Sequence, residues 1–174
     1  MIIIISGPPG SGKTTVAKML SEKLNLPLVS SGNIFRSMAK DLGKSVEEFS
    51  KIAEKDDSID RNIDEKILEI MKKGNDMVID SRLAGWFAKK NNINAFKVYL
   101  NANRNKRYER INKREKTTIQ NLTIREESEI KRYMNIYGID FKDLSIYDLV
   151  LNTDDLSPEN IVDLIMESAK KWMK

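Results

Sequence analysis

Gly7-Pro8-Pro9-Gly10-Ser11-Gly12-Lys13-Thr14 follows the apolar run Ile2-Ile3-Ile4-Ile5 near the start of the chain. The stretch fits G-x-x-x-x-G-K-[S/T], a phosphate-binding loop, and its flanks are those the motif requires. The β-branched run before it reads as a buried strand. After it, Val16, Leu20 and Leu24 recur at helical spacing with Ala17 beside them. Strand, glycine loop and helix together predict a nest of backbone N–H groups at a helix N-terminus, where the dipole also favours an anion. Glycines let the backbone approach phosphate oxygens with no Cβ in the way. Lys13 is expected to reach β- and γ-phosphates, and Thr14 to give its hydroxyl to Mg²⁺. The bland alternative is a glycine turn that merely joins a strand to a helix. The complete motif in this context disfavours it.

A chain of 174 residues, 40% of them hydrophobic, is one domain of ordinary size with a real core. No apolar run approaches membrane-spanning length, and residues 2–5 are too short for a signal-peptide core, so a cytoplasmic protein is expected. The absence of cysteine excludes disulfides and thiolate chemistry. The absence of histidine excludes a Ser-His-Asp triad and imidazole metal ligation. The 30 basic and 26 acidic side chains leave a net charge of only +4 and alternate along most of the chain. That pattern is a solvated surface, without the basic tail or aromatic-basic module of a nucleic-acid binder.

Strands alternate with helices along the rest of the chain. Residues 27–30, Met77-Val78-Ile79-Asp80, Phe96 to Leu100 and Tyr147 to Leu151 read as further strands. Helices are expected over 32–43 (ended by Gly43), from the Ser45/Glu48 capping box, from Ser58 to Gly74, from Arg104, from Ile124 to Tyr137, and from Ser157-Pro158. Residues 116–122 carry weak signals and read as a mobile loop. The pattern predicts an α/β protein whose parallel sheet is covered on both faces.

Ligands of such sheets gather at the carboxyl ends of the strands. After the second strand come Ser30-Ser31-Gly32 and then Arg36. Ser31 is a good N-cap, Gly32 permits close backbone approach, and Arg36 places a fork-shaped guanidinium one helical turn in. After the third strand, Asp80 ends an apolar run as a Mg²⁺-holding acid does, although it could simply cap the next helix. Arg82 follows on the same loop, while Gly85 and Trp86 could form a close-packed wall. Arg104, Arg107, Arg110 and Arg114 share about one third of a helix circumference, a stripe that suits an anionic partner or a solvated face neutralised by Glu109 and Glu115. Arg125 and Arg132 lie seven residues apart on one face, separated by roughly 10 Å. Two arginine-bearing helices joined by a weak loop look like a lid.

With these stretches in view, the chain resembles the archaeal type of cytidylate kinase, a P-loop nucleoside monophosphate kinase. The stretches that carry the resemblance are GPPGSGKTT (7–15), SSGNIFR (30–36), SIDRNID (58–64), DSRLAGW (80–86), REESEIKRYMNIYGID (125–140) and LSIYDLVLNT (144–153). It implies a three-layer α/β/α P-loop NTPase fold with a five-stranded parallel sheet. The core would be 1–30, 75–103 and 145–174, the monophosphate-binding helices about 31–74 and the helical lid about 104–140. It implies transfer from ATP, with Mg²⁺, to CMP and dCMP in a monomer that binds neither membrane nor nucleic acid. The loop from Gly7 to Thr15, Thr15 included, would hold ATP with help from Arg110 and Arg114. Ser31, Gly32, Arg36 and Arg82 would hold the monophosphate. Arg125 and Arg132 would span the phosphates, acting in catalysis with Lys13 and Arg82. Thr14 and Asp80 would hold the metal. Gly85, Trp86, Arg125 and Glu126 are the implied candidates for the acceptor site, with the base-selecting role open among Gly85, Trp86 and Glu126. An adenylate or shikimate type of kinase and a nucleic-acid-stimulated ATPase are the rival readings.

Overall fold

In a computed structural model, which describes residues 1–174 apart from the side chain of Glu115, the strands are β1 (Ile2–Ser6), β2 (Leu28–Ser30), β3 (Met77–Asp80), β4 (Ala95–Asn101) and β5 (Leu149–Asn152). All pair in parallel, in the order β2-β3-β1-β4-β5. The neutralising role expected of Glu115 lies outside the described residues.

The alternation of side chains along β1 explains the layers. Ile3 and Ile5 face one way, where they pack with α1 (Lys13–Leu24) and α8 (Pro158–Trp172). Ile2 and Ile4 face the other way, into a cluster fed by α2 (Ser31–Asp41), α3 (Val46–Ala53), α4 (Asp57–Lys72), α5 (Ala84–Lys90) and α7 (Ile119–Tyr137). The remaining helix, α6 (Arg104–Glu115), follows β4 and runs beside the glycine loop. Burying β1 on both faces is what its unbroken isoleucine run is for, and each such side chain contributes about 1.5–3 kcal/mol.

Several boundaries differ from the sequence reading. The N-cap of α2 is Ser30, whose hydroxyl accepts from Asn33 N–H at 3.3 Å, so Ser31 is the first helical residue and not the cap. Asp56 caps α4 by accepting from Ser58 N–H. The expected loop over 116–122 is only 116–118. Thr118 caps α7 by accepting from Asn121 N–H, and Leu122 is fully buried, so packing makes helix of a β-branched stretch with poor propensity. Tyr147 stands before β5, held in a turn by Leu144. The Ser45/Glu48 capping box and the Ser157-Pro158 start of α8 fall where the sequence places them.

Candidate active site

The glycine loop is built from its back. Gly10 has φ +78°, and a Cβ there would lie 2.4 Å from the carbonyl oxygen of Arg107, so only glycine fits both the dihedral and the space. Arg107 donates to the carbonyl of Pro9 at 3.1 Å, and the Thr153 hydroxyl donates to that of Ser11 at 3.0 Å. Arg110 clamps Thr153, donating to its carbonyl at 2.7 Å and to its hydroxyl at 2.9 Å. Carbonyl oxygens of the loop are thus satisfied by side chains behind it. The N–H groups of Lys13, Thr14 and Thr15, in the first turn of α1, have no intrahelical acceptor and are left for an anion.

One cleft opens in front of the loop. Pro9, Gly10, Gly12, Lys13, Thr14 and Thr15 line one side, and Ser31, Gly32 and Arg36 of α2 line another. Asp80, Ser81 and Arg82 come from the end of β3, and Arg125, Glu129, Arg132 and Tyr133 from α7. The buried carboxylate of Asp80 accepts from Thr14 at 2.8 Å and from Ser30 at 3.1 Å. It does not cap α5, because Ser81 Oγ accepts the N–H of Ala84 instead. A carboxylate beside a helix-start hydroxyl is an all-oxygen donor pair that fits a hard divalent cation.

Positive charge is concentrated here. Desolvation, then the guanidinium of Arg82, pulls the Lys13 ammonium down to about 7, with Arg36 and Arg114 adding to the effect and Asp80 opposing it. Arg82 is lowered to about 10, chiefly by desolvation, and stays ionised at neutral pH. The arginines are held by acids from the helices over the sheet. Arg82 pairs with Glu129, Arg107 with Glu126, Arg125 with Glu47 at 3.0 Å, and Arg132 with Asp60 at 2.6 Å.

Not every sequence candidate reaches the cleft. Gly7, Pro8 and Ser11 lie outside its lining. Arg110 turns to Thr153 and the back of the loop, whereas Arg114 lines the cleft. Gly85 is buried against Tyr147, Trp86 packs on the apolar cluster, and Glu126 is engaged by Arg107; none of the three lines the cleft. The sequence reading gave no role to Asp60 and Asp64, which do line it. The signal was there: both acids sit within the Ile59/Ile63/Ile67 stripe of α4, on the face that packs inward.

Asp64 is 8% exposed and accepts from Tyr137 Oη at 2.8 Å. Burial raises its carboxyl to about 7, with Asp60 adding to the rise while Tyr137 and Arg132 oppose it. An unfolded aspartate titrates near 4, so between about pH 4 and 7 the folded chain holds a proton that the unfolded chain has lost. Stability therefore falls as pH rises through this window. Asp64→Asn is expected to remove the loss, raising Tm at pH 8 by about 4–8 °C, for on the order of 2 kcal/mol, with the gain vanishing near pH 4. Calorimetry at the two pH values checks it, and a gain equal at both would refute the titration.

The model of the cytidylate kinase-like family matches residues 2–155. Cytidylate kinase of Archaeoglobus fulgidus is 43% identical over 174 residues, covering 98% of this chain and 95% of that one. Those of Sulfurisphaera tokodaii (46%, covering 95% and 93%) and Methanocaldococcus jannaschii (46%, covering 98% and 100%) are similar to the same extent. Among solved structures, shikimate kinase from Aquifex aeolicus matches with a TM-score of 0.61 at 20% identity, covering 98% of this chain and 96% of that one. A gluconokinase from Sinorhizobium meliloti matches at 0.67 and 13%, covering 98% and 91%. At these identities the structural likeness shows the fold alone, that of a small P-loop kinase.

Proposed function

The chain belongs to the cytidylate kinase-like family, and on that premise we propose that it transfers the γ-phosphoryl group of ATP to CMP, and also to dCMP, giving ADP and the nucleoside diphosphate. The observation that carries the reading is the single cleft in which the Lys13 ammonium and the Thr14–Asp80 pair face Arg36 and Arg82. Two polyanions can lie there end to end, ATP on the glycine loop and the acceptor phosphate against Ser31, Gly32, Arg36 and Arg82.

The acceptor phosphate already carries negative charge at neutral pH. Its oxygen forms the new bond to the γ-phosphorus as the bond to the β,γ-bridging oxygen breaks, and no general base is needed. A chain without histidine can therefore run this reaction by positioning and charge alone. Lys13 holds the β- and γ-oxygens, while Arg82, Arg125 and Arg132 oppose the charge spread over the transferring group. Phosphate oxygens take the places that Glu129 and Glu47 occupy beside Arg82 and Arg125. Thr14 and Asp80 would hold Mg²⁺, which when bound neutralises phosphate charge. Residues 104–140 act as the lid that keeps water from the γ-phosphate. No helix of the described residues is long and apolar enough to cross a membrane; the reading places a monomer in the cytoplasm.

An acceptor panel tests the proposal: ATP and Mg²⁺ with each nucleoside monophosphate, dCMP and shikimate, reading ADP release. CMP and dCMP are expected to exceed AMP and shikimate in kcat/KM by at least about 100-fold, the discrimination a site reaches when an unsuited ligand leaves its buried polar groups unpaired. Preference for AMP or shikimate would replace this reading with a rival kinase.

A further inference from the structure

Once the phosphates are placed, one wall of the cleft is left over. It is formed by Phe35 of α2 and by Asp60, Ile63 and Asp64 of α4. Asp60 and Asp64 are one helical turn apart, 6% and 8% exposed, and so present two desolvated carboxyls side by side. Arg132 Nε donates to Oδ2 of Asp60 at 2.6 Å, and Tyr137 Oη donates to Oδ2 of Asp64 at 2.8 Å. Among the described residues, the hydrogen bonds of each carboxyl fall on that one oxygen. Each carboxyl thus keeps one oxygen for a donor that the protein's own side chains do not supply, and burial shows in the raised carboxyl of Asp64. Such a site is complete only with a ligand that brings N–H groups. Beside it, Phe35 and Ile63 offer apolar surface for a flat ring.

We propose that Asp64, supported by Asp60, selects the acceptor base by accepting the 4-amino group of cytosine. The assignment rests on the reading of the cleft as a CMP kinase site. With the acceptor phosphate on Arg36 and Arg82, the base is the part of the nucleotide left to meet this wall. Cytosine presents two N–H donors at position 4. Uracil presents a carbonyl there, which would set acceptor against acceptor, and a site built around an amino group rejects such an analogue strongly.

The test compares kcat/KM for CMP, UMP and the 2-pyrimidinone ribonucleoside monophosphate, which has hydrogen in place of the amino group, in the wild type and in Asp64→Asn. At about pH 8, where Asp64 is ionised, the wild type should lose about 10- to 100-fold on 2-pyrimidinone relative to CMP, the worth of a hydrogen bond to a charged acceptor. Asp64→Asn should lose about as much on CMP, mainly through KM, while 2-pyrimidinone is nearly unaffected. Because an amide can also donate to a carbonyl, the CMP/UMP ratio should fall at least about tenfold, with KM for ATP unchanged. A purely structural aspartate would lower all three acceptors alike, and that result overturns the proposal. So does a wild type that uses 2-pyrimidinone as well as CMP, a comparison that needs no variant to fold. A wild type inactive on CMP overturns both this assignment and the function beneath it. Activity on CMP with unaltered acceptor ratios overturns the role of Asp64 alone.

Discussion

Lys13→Ala is expected to lower phosphoryl transfer by ~10³-fold or more while the protein stays folded, the scale set by other cations that meet a transferring phosphoryl group. The side chain projects into the cleft, in front of a loop whose shape is fixed from behind by Arg107, Arg110 and Thr153. Its loss opens no core cavity. Desolvation and Arg82 already hold the ammonium down near 7, which means that the protein's own side chains leave this point short of negative charge. On the proposed reading, β- and γ-phosphates bound here would supply that charge and restore the proton. Removing Lys13 therefore removes the partner of the phosphates and leaves no acid unpaired, so Tm should move by no more than about 2 °C, as for a surface change. A coupled assay of ADP formation beside a thermal melt makes the comparison. Activity within tenfold of wild type would take Lys13 out of the chemistry; a collapse of Tm would make it a structural residue.

The loop was legible because it is local: strand, glycines, lysine and hydroxyl all lie within one short stretch, and the physics of anion binding is set by that stretch alone. Asp80 was nearly as plain, since an acid ending a buried strand has few other uses, and its bond from Thr14 joins two positions 66 residues apart. Pattern failed where orientation depends on a distant element. Arg110 and Arg114 are indistinguishable on a helical stripe. Which of them faces the cleft is decided by how α6 abuts Gly10, and that contact puts Arg110 on Thr153. Gly85 and Trp86 follow a strand end just as Arg82 does, but α5 begins at Ala84 and turns them toward Tyr147 and the apolar cluster. In α7, burial of Leu122 and contact with α3 outweigh weak propensity, so the helix starts five residues earlier than the expected Ile124. Asp60 and Asp64 were missed for a different reason: acids inside an apolar stripe are easily taken for its solvated edge, whereas these two are buried and line the cleft.

Arg82→Ala is expected to lower kcat by about 10³-fold with KM for ATP changed only a few-fold, because the side chain serves charge that develops during transfer more than ATP binding. Arg82 lies two residues beyond Asp80 in the lining of the cleft, and its partner is Glu129 of α7. A carboxylate is a fair stand-in for one face of a phosphate, so the ion pair holds the guanidinium aimed and desolvated until the substrates displace it. Truncation alone would confuse two effects, since it also strands the part-buried Glu129 at a cost of about 1–3 kcal/mol. The double variant Arg82→Ala/Glu129→Gln separates them. It should regain the lost Tm and none of the lost kcat. Glu129→Gln alone should keep kcat within about tenfold and lower KM for CMP, since phosphate then competes with an amide and no longer with a carboxylate. Arg82→Lys should remain slow, because a point charge cannot reproduce a planar fork. If the double variant recovers kcat together with Tm, Arg82 matters only as the partner of Glu129, and the phosphoryl group must be met by Arg125 and Arg132 without it.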